Sequence, residues 1–122
     1  MKRGHRAGAP RPLSDAELEL IEALLGAAGM GAGRYLGQLP RVQVVGGCCC
    51  GCPSIDLAVG DKSREGSVAP VIVADAESPE GVSVGVILWA RGGALSGLEV
   101  HPWNGSDTIR IPAVDSLLNF RK

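Results

Sequence analysis

Long hydrophobic runs, aromatic side chains and net charge are all scarce in this sequence of 122 residues. No stretch approaches the roughly 18 consecutive apolar residues of a membrane-spanning helix, so no membrane association is expected. A wholly disordered chain is excluded because the net charge is only -1 and 45% of the residues are hydrophobic. The basic start is not followed by an apolar run. We therefore expect no secretory signal and a cytoplasmic protein.

The charge that is present is unevenly distributed. Residues 1–12 carry four basic side chains and no acidic one, whereas the rest of the chain carries 8 basic and 13 acidic residues. We expect residues 1–12 to be a disordered basic tail and residues 13–122 to form a single domain. Because phosphate contacts need clustered Lys and Arg, the acidic body is not expected to bind nucleic acid.

The clearest helix signal lies just after this tail. Ser14 and Glu17 have the spacing of a capping box, in which each side chain bonds to the other residue's backbone N–H. Apolar residues then recur at helical spacing at Leu18, Ile21, Leu24, Leu25 and Ala28. This pattern predicts an amphipathic helix over about residues 15–27. A weaker pattern predicts a short second helix over residues 32–39, ended by Pro40.

The rest of the sequence favours strands. Segments with β-branched or alternating apolar residues are residues 42–45, 55–59, 71–74, 82–89 and 94–101. Their short connections favour antiparallel pairing, since parallel crossovers need a dozen or more residues. We predict an α+β fold in which the helices pack on an antiparallel meander of four or five strands. Residues 112–118 are predicted to form a short helix.

The most unusual feature of the sequence is a cluster that contains all four cysteines, at positions 48, 49, 50 and 52. Thiolates are the ligands that zinc and cuprous copper favour. Either Cys48, Cys50 and Cys52, or Cys49 and Cys52, can supply them to one ion, with His101 or another chain completing the site. Two alternatives remain open: Cys49 and Cys52 form a redox pair, or the cysteines are only small apolar side chains at a turn.

Two motifs resemble those of a group of short actinobacterial proteins. The first is C-x-C-G-C-P-S-I-D-L, beginning at Cys48, and the second is L-S-G-L-E, beginning at Leu95. The likeness covers roughly residues 13–120. The group has no established activity, so the resemblance implies no catalytic residue. It does give more weight to Cys48, Cys50 and Cys52 than to Cys49 as candidate metal ligands.

Catalytic motifs are absent from the sequence. It has no nucleophile elbow, no phosphate-binding loop and no dinucleotide-binding fingerprint. Glu99 and His101 lie two positions apart on a predicted strand, and we interpret them as a surface contact rather than an acid–base pair. The sequence thus favours a small non-enzymatic binding protein, with a protein partner or a soft metal ion as its ligand.

Overall fold

Along the described residues, one strand comes first, the helices follow, and the remainder is mostly strand. The structure, a computed structural model, describes residues 5–29, 31–48, 53–60, 66–103 and 109–122, with only the backbone described for residues 5–9 and Cys48. The helices are α1 (Asp15–Ala28) and α2 (Gly33–Leu36), with 3-10 turns at Leu39–Arg41 and Val114–Ser116. The strands are β1 (His5–Pro12), β2 (Val42–Cys48), β3 (Ile55–Val59), β4 (Val68–Glu77), β5 (Ser83–Arg91), β6 (Ala94–Pro102) and β7 (Leu118–Arg121).

The start of α1 has the predicted capping box. The backbone N–H of Glu17 donates to Oγ of Ser14 at 3.1 Å, and the N–H of Ser14 donates to Oε1 of Glu17 at 2.8 Å. The helix ends at Ala28, before Gly29 with φ of 77°. Its buried stripe differs from the predicted one, because Leu20 is fully buried whereas Leu18 is only partly buried.

The second helix is shorter than predicted. It contains only the four residues of α2 and is followed by the 3-10 turn at Leu39–Arg41. Tyr35 is buried, whereas Leu36 is exposed. The predicted helix over residues 112–118 is likewise reduced to a 3-10 turn, after which the chain enters β7.

The strands form one antiparallel sheet with the order β1-β2-β3-β6-β5-β4-β7. The predicted α+β class and the antiparallel pairing are confirmed. The predicted count of four or five strands is wrong, because the described residues contain seven. The order is also not a simple meander, since β3 pairs with β6 rather than with β4.

The two additional strands lie at the two edges of the sheet. Residues 5–12, expected to belong to a disordered tail, pair with β2 as β1, and β7 pairs with β4. Residues 5–12 show no apolar alternation of the kind by which a half-buried strand is recognised. In β7, Leu118 and Phe120 alternate with polar residues, but over only four positions, all of them exposed. Backbone hydrogen bonds can form regardless of side-chain character, so an edge strand leaves little trace in the sequence.

Among the described residues, the helices cover one face of the sheet. Alternate residues of β4 and β5, such as Ile72, Val86 and Leu88, are fully buried in a core shared with α1. Residues of the opposite face, such as Val73 and Ile87, are half-buried. We call this second face the open face. None of the helices in the described residues is long and apolar enough to span a membrane.

Candidate functional site

The cysteine cluster belongs to the connection between two paired strands. Gly47 of β2 is paired with Ile55 of β3, so both ends of this connection are fixed by the sheet. An ideal Cβ placed on Gly47 would lie 3.6 Å from the carbonyl oxygen of Ser54. Cys48 is the last residue of β2. The other candidate ligands, Cys49, Cys50 and Cys52, lie outside the described residues.

Ser54 joins the far end of this connection to β6. Its hydroxyl accepts a hydrogen bond from the N–H of Val100 at 2.8 Å and donates to the carbonyl of Val100 at 3.1 Å. Val100 immediately precedes His101, the fourth candidate metal ligand. The end of β2, the start of β3 and the end of β6 therefore lie at the same end of the sheet, which we call the cysteine end.

His101 lies on the open face in a chain of polar contacts. Its Nδ1 is 3.2 Å from Oε2 of Glu99, outside hydrogen-bonding geometry, and no other described group bonds to this nitrogen. Oε1 of the same carboxylate accepts a hydrogen bond from Nε1 of Trp89 at 3.0 Å. The expected contact between Glu99 and His101 is thus present, and Trp89 holds the carboxylate in place.

The imidazole of His101 leans toward β5. Its edge meets the ring of Trp103, with the two ring centroids 4.7 Å apart and the planes at 86°. A Cβ on Gly85 of β5 would come within 2.7 Å of Nε2 of His101, so only glycine leaves room for the ring. Because β5 and β3 flank β6 on opposite sides, the ring lies on the side of β6 away from β3.

The structure therefore brings His101 and the two ends of the cysteine connection to one end of the sheet, with the imidazole on the β5 side of β6. The described residues contain no group of three or more His, Cys, Asp or Glu side chains able to hold a metal ion. Since the thiols fall outside that search, the metal site of Cys48, Cys50, Cys52 and His101 stays a prediction.

Sequence reasoning missed one residue at the cysteine end. His5, placed in the expected tail, is the first residue of β1 and pairs directly with Cys48 of β2. The chain contains only 2 histidines. No alternation pattern marks residues 5–12 as a strand, so the only available signal was the identity of this histidine.

An open groove of about 600 Å³ lies beside Trp103. Its walls are formed by β4, by β5 and by side chains between residues 115 and 119. Three carboxylates line it: Asp75, Glu77 and Asp115. Hydrogen bonds from Asn119 and Arg121 lower the pKa of Asp75 below its ordinary value. The groove is thus acidic, and one of its carboxylates already has a cationic partner within the chain.

Comparison of the chain with protein-family models, with curated proteins and with solved structures found no match. The resemblance to short actinobacterial proteins therefore stays a prediction, and a function has to be argued from the site alone.

Proposed function

We propose that this chain is a non-enzymatic cytoplasmic binding protein that holds a soft metal ion, zinc or cuprous copper. The thiolates of Cys48, Cys50 and Cys52 are its ligands, and a histidine completes the site. One observation carries the proposal: all four cysteines lie between Gly47 and Ser54, a segment whose two ends are fixed by the Gly47–Ile55 pair and by the hydrogen bonds of Ser54.

Fixed ends favour metal binding for an entropic reason. A free peptide with this sequence has to order its backbone when several thiolates bind one ion. Here the ends are already ordered by the fold, so fewer residues lose conformational freedom on binding. Positions 48, 50 and 52 are each two apart, and in an extended chain residues with this spacing share a face.

A histidine suits the fourth position because structural zinc sites commonly combine Cys and His ligands in a tetrahedron. His101 is the candidate that the sequence indicates. Its support is the pair of hydrogen bonds between Ser54 and Val100, which keeps the start of β3 against the strand that carries His101. Ligation by His101 requires its ring to leave the space over Gly85 and turn toward β3.

Elemental analysis with a thiol titration tests the proposal. Protein expressed in medium supplemented with zinc and copper and purified without chelator should contain about one soft metal ion per chain. Bound thiolates should react with a thiol reagent only after denaturation or chelation. Cys50→Ser should abolish the metal content, and Cys49→Ser is the matched control that should retain it.

Protein that contains neither metal, with four freely reacting thiols, would overturn this function. Metal content should also fall at low pH, since thiols must lose their protons to coordinate. Mild peroxide treatment addresses the redox alternative. Selective oxidation of Cys49 and Cys52, in protein that carries no metal, would instead indicate a thiol-dependent redox protein or sensor.

A second candidate function, binding of a protein partner without any metal, is favoured by the open face. Trp103 is 59% exposed beside the acidic groove, and exposed aromatic residues are enriched at protein interfaces. In that case Cys50→Ser should leave partner binding unchanged, whereas Trp103→Ala should weaken it. Elemental analysis of the purified protein distinguishes the two functions without knowledge of the partner.

A further inference from the structure

We propose that the groove beside Trp103 is a docking site for an extended, arginine-bearing segment of a partner protein. The proposal rests on the second candidate function, binding of a protein partner, and needs no metal ion at the cysteine end. Its observation is a juxtaposition within the described part of the chain: two exposed apolar side chains and two carboxylates without a described partner line the same open groove.

The apolar part of the groove is formed by Trp103 and Leu118, which are 59% and 50% exposed. Trp103 is held in place despite this exposure. Its backbone N–H donates to the carbonyl of Ser83 at 2.9 Å, and its ring contacts the ring of His101 with the centroids 4.7 Å apart. The exposed indole is therefore an ordered surface, and a partner that packs on it does not have to immobilise it first.

The groove also carries negative charge that the described residues do not compensate. Asp75 already accepts hydrogen bonds from Asn119 and Arg121. Glu77 and Asp115 are exposed, and no described group bonds to either carboxylate. A cationic partner can therefore form two ion pairs here without breaking an existing one, which gives the groove a preference for basic segments.

The walls that carry these carboxylates are fixed to each other. Oγ of Ser116 accepts a hydrogen bond from the N–H of Glu77 at 3.1 Å and donates to the carbonyl of Ala113 at 2.7 Å. These bonds tie the end of β4 to the 3-10 turn that contains Asp115. The groove is thus formed before a partner arrives, so binding has to order little of this chain.

The shape of the groove favours an extended peptide over an ion or a small molecule. The described residues contain no group of three or more His, Cys, Asp or Glu side chains able to hold a metal ion, so the carboxylates of the groove do not surround one cation. Small-molecule pockets bury about 70–90% of their ligand, which an open groove does not do. Arginine suits the combination of indole and carboxylates, because its planar guanidinium both stacks on aromatic rings and binds carboxylates.

The basic start of this chain does not reach the groove of its own molecule. Five strand spacings separate β1 from β4 in the sheet, which is about 24 Å. Residues 1–4, which precede β1, span at most about 14 Å when fully extended. The occupant is therefore a segment of another molecule.

An NMR titration of ¹⁵N-labelled protein tests the proposal. The probe is the peptide acetyl-Arg-Gly-Arg-Gly-Arg-amide, whose blocked ends leave only guanidinium charges. We expect it to shift the indole N–H signal of Trp103 and the backbone N–H signals of Glu77, Ser116 and Asn119. The same peptide with citrulline in place of arginine has nearly the same shape without the charge, and it should not shift them.

Variants of the groove give the expected magnitudes. Glu77→Gln and Asp115→Asn should each weaken peptide binding about 2–5-fold, as for exposed ion pairs. Trp103→Leu should weaken it by a similar factor of about 2–5, because the cation–π contact is lost. Glu22→Gln is the matched control, since it removes the same charge from an exposed position of α1 and should bind as the parent protein does. The spectrum of each variant without peptide shows whether it is folded.

Four results would overturn the proposal. They are equal binding of the citrulline peptide, unchanged binding by the double variant of Glu77→Gln and Asp115→Asn, an equal loss in Glu22→Gln, and groove signals that shift with protein concentration alone. The last of these would mean that a second copy of the chain fills the groove. Failure of the metal site is measured separately, because Cys50→Ser should lose metal and still bind the peptide as the parent protein does.

Discussion

Gln38 illustrates how one buried polar side chain fixes a turn. The residue is 4% exposed, and its amide donates to the carbonyl of Gly93 at 2.8 Å and accepts from the N–H of Leu95 at 3.0 Å. Gln38→Ala removes the partner of the buried N–H of Leu95 and of the partly buried carbonyl of Gly93, which should lower the free energy of unfolding by about 1–3 kcal/mol. Urea denaturation measures this loss. Gln43→Ala, at an exposed position of β2, should change it little.

Adding one methyl group at Gly85 tests how tightly His101 and Trp103 pack on the open face. In Gly85→Ala the new Cβ would lie within 2.9 Å of both His101 and Trp103, so both rings must move. We expect a cost of about 1–3 kcal/mol, as for other overpacked sites. The tryptophan emission spectrum should change as well. An unchanged spectrum would contradict the packing of Trp103 against the open face.

A matched control for this substitution is available in α1. A Cβ on Gly26 would meet nothing within 4 Å, so no packing penalty is expected there. Because glycine within a helix is destabilising relative to alanine, Gly26→Ala should raise the free energy of unfolding by about 0.5–1 kcal/mol. A loss of stability in the same urea assay would mean that this face of α1 has a contact that the structure does not place there.

Two leucines of α1 separate the predicted helix face from the observed one. The sequence pattern places Leu18 on the buried stripe, whereas the structure buries Leu20 completely and leaves Leu18 only partly buried. Leu20→Ala should therefore cost about 2–5 kcal/mol. Leu18→Ala should cost clearly less. Equal losses in thermal or urea unfolding would contradict the observed orientation of α1 on the sheet.

The elements that could be predicted are those with a side-chain signature. Alternation in Ile55, Leu57 and Val59 identified β3, and the Ser14–Glu17 spacing identified the start of α1. Both edge strands were missed because their pairing depends on the backbone and on partners distant in the sequence. The same limit applies to the site, since the cysteines stand out in the sequence but the position of His5 opposite Cys48 is evident only from the register.

At the scale of the whole molecule, carboxylates with lowered pKa values, such as Glu80 and Glu17, predict how stability depends on pH. Hydrogen bonds from Arg110 lower the pKa of Glu80 from 4.5 to about 2. For Glu17, burial raises the pKa, but hydrogen bonds from Arg11 and Ser14 outweigh burial and leave its pKa below the ordinary value. Both groups bind protons more weakly in the folded state. Their contributions are therefore complete above about pH 4.5 and are lost as the pH falls toward their folded pKa values.

Urea denaturation between pH 7 and pH 2 measures this dependence. Glu80→Gln removes one of these carboxylates and should reduce the loss of stability below about pH 4.5. Arg110→Ala should do the same, because it removes the partner that lowers the pKa of Glu80. A pH profile identical to that of the parent protein in both variants would contradict the ion pair between the β4–β5 turn and residue 110.

The most direct test of the whole sheet is the removal of residues 1–12. The sequence, with its basic charge and two prolines in this segment, predicts a disordered tail whose loss leaves the melting temperature unchanged. The structure predicts the opposite, because the truncation removes β1, exposes the edge of β2 and leaves the buried carboxylate of Glu17 without Arg11. Removing the partner of a buried charge is costly, since the charge that remains is still desolvated. Measured in the presence of chelator, so that no metal contributes, the truncated protein should melt several degrees lower. The full-length Arg11→Ala variant should show part of this loss. If the melting temperature is unchanged in both the truncated protein and this variant, β1 adds no net stability to the sheet.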